Sequence, residues 1–210
     1  MDSENGRPSM QKSVRDLSNM VFGVALSIGA LTLINNLSVL ATPDSITNSI
    51  ATFAFSFLII IYMWFRYTQA LDLMHDETRI ELNLKLLVLL LVAVEPYLFY
   101  LLNTASAQLL PFTTTLYALD IAGLLFVLFI LYRIGIKSQK GSDRKVANYY
   151  LPTSDGLILS AILFAVSALP ILWDVSIFGF RVRYALWIAA LILGQVFRRA
   201  SRYARRVKFP

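Results

Sequence analysis

The chain is 210 residues long, with 57% of its residues apolar and only 15% charged. A soluble domain of this size cannot hide that much apolar surface, which excludes a water-soluble globular fold and makes a bilayer the natural solvent. The net charge of +6 raises the question of an anionic partner, and the lack of cysteine excludes disulfides, thiolate nucleophiles and sulfur-ligated metals.

Six stretches are long and apolar enough to cross about 30 Å of hydrocarbon, near 18–41, 48–69, 83–103, 114–136, 156–173 and 183–199. Only helices and closed barrels satisfy their backbone in lipid, and no ten-residue alternation is visible. The expectation is therefore an all-α polytopic membrane protein of six transmembrane helices. It divides into an N-terminal segment 1–16, a helical membrane domain 17–200 and a basic tail 201–210.

The first stretch is too long for a cleavable signal peptide and has no small-residue cleavage site. Gly23, Ser27 and Ala30 recur along it at helical spacing, giving a face smooth enough for close helix contact. Val24, Ile28 and Leu31 form an adjoining apolar stripe, and Ser18, Thr32, Asn35 and Asn36 add polarity that a plain anchor does not need. Two readings follow: a central helix buried in the bundle, or a helix lining a pore whose narrow points are rings of Val24, Ile28 or Leu31.

Around the second stretch, Arg66 joins Arg15, Asp16 and Asn19 as candidates for a polar cluster between the first two helices. The third and fourth stretches carry Glu95 and Asp120 near the ends opposite the chain's N-terminus, and Asp174 follows the fifth. Acids at this depth read either as an outer vestibule that concentrates cations or as interfacial groups paired or hydrated. The fifth stretch is the shortest, and Pro170 should end or kink it. Before it lies IKSQKGSDRKVANYYLPTSDG, around 136–156, the only extended hydrophilic loop expected.

The connections fix an expected orientation. The N-terminal segment, the second and fourth connections and the C-terminal tail hold seventeen Lys and Arg; the remaining connections hold two, Arg181 and Arg183. By the positive-inside rule both termini are cytoplasmic. The tail RRASRYARRVK then marks topology and meets anionic lipid headgroups, so no nucleic-acid partner is expected. His75 is the lone histidine, set among Asp72, Asp76 and Glu77 in what reads as an exposed charged connection. No H-E-x-x-H, G-x-S-x-G or phosphate loop occurs, so neither an enzyme nor a bound metal or other cofactor is expected.

Four motifs in order then resemble the transmembrane protein 175 family of potassium channels. LSNMVFGVALSI (17–28) is similar to the family's F-S-D-G-V-F-A-I, keeping Ser18, Val21 and Phe22. SFLIIIYMWFRYT (56–68) keeps Ser56, Phe57 and Trp64 of S-F…W-x-x-H-H. NLKLLVLLLVAVEP (83–96) keeps Asn83, Leu84 and Pro96, and LYALDIAG (116–123) resembles L-Y-A-L-N.

The resemblance covers 13–136 by motif and the last two helices by hydropathy. It implies a homotetramer around one axial pore and passive passage of potassium or other monovalent cations. The constrictions would be Val24, Ile28 and Leu31, with Ser27 contributing to selectivity. Arg15, Ser18, Asn19, Trp64 and Arg66 would form a cytoplasmic polar network bracing the pore helix. The family's aspartate is Asn19 here, and its two histidines are Tyr67 and Thr68, so a pairing of Asn19 with Arg15 would be a neutral hydrogen bond. The location implied is a prokaryotic plasma membrane. A non-conducting membrane scaffold or a small-solute transporter on the same fold is the alternative function.

Overall fold

The structure, a computed structural model, describes residues 8–37, 43–74, 78–106, 108–139, 144–172, 175–177 and 180–208. Six helices follow one another: α1 (Pro8–Leu37), α2 (Pro43–Asp72), α3 (Arg79–Thr104), α4 (Leu110–Gln139), α5 (Arg144–Ser167) and α6 (Val182–Lys208). Among the described residues the fold is all-α apart from one antiparallel pair of two-residue strands, β1 (Ser176–Ile177) and β2 (Phe180–Arg181), just before α6.

Among the described residues five helices are long and apolar enough to span a membrane, and the protein is membrane-embedded. The sixth expected span is not matched in length. The apolar part of α6 is Val182–Val196, about 22 Å of helix at ~1.5 Å per residue, against a core of about 30 Å. The helix then runs on to Lys208 without a break, so the basic tail is part of α6 and not a separate segment.

Local chemistry sets several boundaries. Thr78 caps α3: its hydroxyl accepts from the Glu81 N–H, and Glu81 accepts from the Thr78 N–H at 3.0 Å. The connection expected around 136–156 is largely helix instead. α5 begins at Arg144 and tolerates Pro152 in its interior. Its polar residues carry that stretch because they pack or pair: Pro152, Thr153 and Ser154 are buried against the bundle, and Arg133 of α4 forms a 2.8 Å ion pair with Asp155. Pro170 acts as expected, with α5 ending at Ser167 and a 3-10 turn opening at Pro170.

The centre of the bundle is α4, which packs on α3 and α5 and also meets α2. Its buried side spans Thr113 to Gln139, with Tyr117, Ile121, Leu125, Leu128 and Tyr132 among its most enclosed residues. α1 is peripheral and packs on α2 and α3. Only 28% of its span is buried within this chain, against 56% of that of α4, so the central helix of the chain's own bundle is α4 and not α1.

Where α5 crosses α6 the backbones nearly touch. A methyl group added at Gly156 would sit 2.8 Å from the Gly194 carbonyl oxygen, and Ser160 one turn later donates to the Ala190 carbonyl at 2.7 Å. Small residues four apart allow this approach, as in other lipid-embedded helix pairs. Gly156→Ala should therefore lower stability in detergent by about 1–3 kcal/mol through overpacking. Gly123→Ala, where nothing lies within 4 Å, should leave it unchanged or raise it by up to about 1 kcal/mol. Equal melting curves for both variants would refute the close crossing.

Candidate functional site

One side of α1 is folded against the bundle and the other is not. Val14, Ser18, Phe22, Ala25, Gly29 and Thr32 are buried, a stripe at helical spacing that meets α2 and α3. Phe22 lies 6.0 Å from Tyr67 between ring centroids, and a methyl group at Gly29 would rest 3.9 Å from the Phe53 ring. Opposite them, Leu17, Met20, Val24, Ser27, Ile28, Leu31 and Ile34 form a continuous exposed face.

All four residues expected to line a pore lie on that face, with Val24 52% and Leu31 58% exposed. Gly23 is also exposed, with open space where its side chain would be, so the smooth face is not used within this chain. The contacts that α1 does make run through Phe22, Ala25 and Gly29. The Ser27 hydroxyl donates to the Gly23 carbonyl at 2.8 Å. That leaves its oxygen lone pairs as acceptors on the exposed surface.

The expected polar network divides in two. Asn19 Oδ1 accepts from Trp64 Nε1 at 3.1 Å, tying α1 to α2 by a neutral hydrogen bond worth about 0.5–1.5 kcal/mol. Arg15 pairs with Asp72 and not with Asn19; both groups are about half exposed, so the pair contributes at most about 1 kcal/mol. Ser18 turns back to the Arg15 carbonyl at 2.7 Å.

Arg66 does not join this cluster. Two residues on from Trp64, it faces the other side of α2 and is buried, donating to Gln69 Oε1 at 3.0 Å and lying 4.8 Å from the Tyr62 ring. The Tyr132 hydroxyl of α4 is shared between the Arg66 carbonyl and Gln69 Oε1, both at 3.1 Å. Arg66 therefore ties α2 to α4, and Asp72 takes its expected place beside α1. His75, Asp76 and Glu77 lie outside the described residues.

The expected acidic vestibule is arranged differently from an open mouth. Glu95 is 1% exposed, and it sits with Asp120, Tyr117 and Ser56 inside the bundle. At ~1.5 Å per residue these groups lie roughly 10–20 Å from the nearer helix ends. Ser56 and Tyr117 bond to each other at 3.0 Å. Glu95 lies beside Tyr117, yet neither of its carboxyl oxygens has a hydrogen-bond partner of sound geometry among the described residues. Asp174 lies outside the described residues. Arg183, expected in a hydrated connection, is also internal and donates to the Thr114 hydroxyl of α4.

Tyr117 is the residue that the sequence reading passed over. It bonds to α2, abuts Glu95 of α3 and stands 5.2 Å from the Trp187 ring of α6. A tyrosine one turn before an intramembrane aspartate was the available signal.

No family model, no curated protein and no solved structure matches this chain.

Replacing Tyr117 by Phe, or Ser56 by Ala, should each lower stability by about 1 kcal/mol. The double variant should cost about 1 kcal/mol less than the sum, because one bond is removed only once. Unfolding in mixed micelles measures this cycle, and strictly additive losses would show that the pair carries no bond.

Proposed function

We propose that the protein is a passive monovalent-cation channel favouring potassium, assembled as a homotetramer in which the exposed faces of four α1 helices surround the conduction path. The observation that supports this reading is the exposed stripe itself. The residues that the family resemblance implies for a pore lining, Val24, Ser27, Ile28 and Leu31, share the face of α1 that the described residues of its own chain leave uncovered. In such a pore Val24 and Leu31 would stand about 10 Å apart along the axis, two apolar rings with the Ser27 oxygens between them. One α1 helix cannot enclose a path, which is why the reading requires several chains.

In this arrangement α6 crosses the membrane as a sixth span in spite of its short apolar part, and both termini are cytoplasmic. The seventeen-to-two distribution of Lys and Arg supports that orientation. Asn19–Trp64 and Arg15–Asp72 then brace the inner end of the pore helix.

Two measurements test the proposal. Purified protein in liposomes with a potassium gradient should pass potassium faster than sodium. Val24→Ala should raise conductance or lower that preference by several-fold; tetramers that carry no potassium would leave a membrane scaffold. Because the chain has no cysteine, single cysteines at Ser3 and at Ser201 report topology cleanly. Both should react with an impermeant maleimide from the same side, and reaction from opposite sides would mean five spans.

A further inference from the structure

Between α1, α2 and α3 lies a small crevice of about 10 Å³, room for about one water-sized particle and partly open to the outside. Leu26 and Gly29 of α1 form one wall, Phe53, Ser56 and Phe57 of α2 another, and Glu95, Pro96 and Phe99 of α3 the third. All but two of these residues are apolar or glycine, and the exceptions are Ser56 and Glu95, whose polar atoms are buried behind an apolar lining. Glu95 is 1% exposed; the Tyr117 hydroxyl lies beside it, but neither carboxyl oxygen has a hydrogen bond of sound geometry among the described residues.

The groups around this carboxyl mainly accept hydrogen bonds. The Ser56–Tyr117 pair supplies two hydroxyl oxygens, with one of the two hydrogens already used between them. Pro96 has no N–H to give the Val92 carbonyl four residues earlier, which adds a backbone acceptor one turn from Glu95. The charged group within electrostatic reach is Asp120 of α4, itself an acid with one buried oxygen unpartnered; α1 and α2 contribute no titratable side chain to the crevice wall. One hydroxyl hydrogen remains to face the carboxyl, too little to offset a bare carboxylate buried next to a second acid, so the group calls for a proton or a cation.

We propose that this crevice is an intramembrane cation-exchange site, in which Glu95 is neutralised by a proton or by one small monovalent cation held with the Ser56 and Tyr117 oxygens. The site lies behind α1, on the opposite side from Val24 and Ser27, and stands whether or not the exposed face lines a pore. Since Leu26 and Gly29 form one wall, exchange of the occupant alters what α1 packs against.

Infrared spectroscopy of the reconstituted full-length protein tests this directly. The chain has four glutamates, Glu4, Glu77, Glu81 and Glu95, so carboxyl-13C glutamate isolates four bands without any mutation, and Glu95→Gln assigns the one of interest. In choline buffer at pH 7, with no small metal cation present, Glu95 should show the carbonyl band of an undissociated acid, which identifies the proton as occupant. Conversion to a carboxylate band on adding potassium or sodium, reversed by washing, identifies the metal cation as its competitor. A Glu95 carboxylate band in choline buffer, unmoved by either cation, overturns the proposal. Should Glu95→Gln fail to fold, Glu95→Asp, which keeps a carboxyl but carries no glutamate label, removes the same band and assigns it in the spectrum of the unaltered protein.

Discussion

Hydrocarbon offers no hydrogen bonds, so the polar side chains that this bundle carries at membrane depth depend on one another. The helices are joined where such pairs form. Ser56 with Tyr117 joins α2 to α4, Arg183 with Thr114 joins α6 to α4, Trp187 with Ser167 joins α6 to α5, and Tyr132 with Arg66 and Gln69 joins α4 to α2. Apolar packing gives lipid-embedded helices little preference for one another over lipid, because the tails are equally apolar. The pairs give the bundle its specificity, and three of these four links end on α4, its most enclosed helix. Around Trp187 they are supported by ring contacts from Phe55, Tyr117, Phe164 and Tyr184, each with centroids 5.2–6.0 Å away.

Glu95 stands out against this pattern. Each link just named is closed by a group on a neighbouring helix, whereas the carboxyl of Glu95 lies between the Tyr117 hydroxyl and another acid with no hydrogen bond of sound geometry among the described residues. Its position follows from the packing that surrounds it. Tyr117 has to reach Ser56 across the same space, and Pro96 turns an acceptor loose beside it. The stability of the bundle and the chemistry of the crevice thus share the same few atoms.

Five of the expected apolar spans were legible because lipid forces a long, nearly charge-free run for each, whereas the apolar part of α6 falls short of that length. The chain's centre of gravity was not. Composition drew attention to α1 for its small residues, yet Gly23 and Ser27 are exposed, with Ser27 bonded back to Gly23 on its own helix, and the enclosed helix is α4, whose sequence is largely apolar all round and shows no special face. Hydropathy also failed where polar residues pack instead of facing water. Thr153 and Ser154 extended α5 back into the expected connection, and Arg183 entered the bundle because Thr114 waits there for it. Pairings such as Arg15 with Asp72 depend on which residues two antiparallel helices bring level, and no single-segment pattern contains that register.

The register explains why Asn19 suits this chain. Arg15 and Asn19 are one turn apart on α1 and lie on the same face. An aspartate at 19 would compete with Asp72 for Arg15 and would present Trp64 with a charge beside the apolar part of the helix. The neutral amide separates the two roles: Trp64 gets its acceptor and Arg15 keeps Asp72, so α1 is tied to α2 at two levels about 6 Å apart. Farther along, at Gly29, its contact with α2 is the apolar edge of Phe53, next to the crevice that holds Glu95. α1 is therefore held by polar bonds at its N-terminal end and by van der Waals contact beside Glu95. A change of charge in the crevice acts on the half of the helix that its own chain holds less tightly.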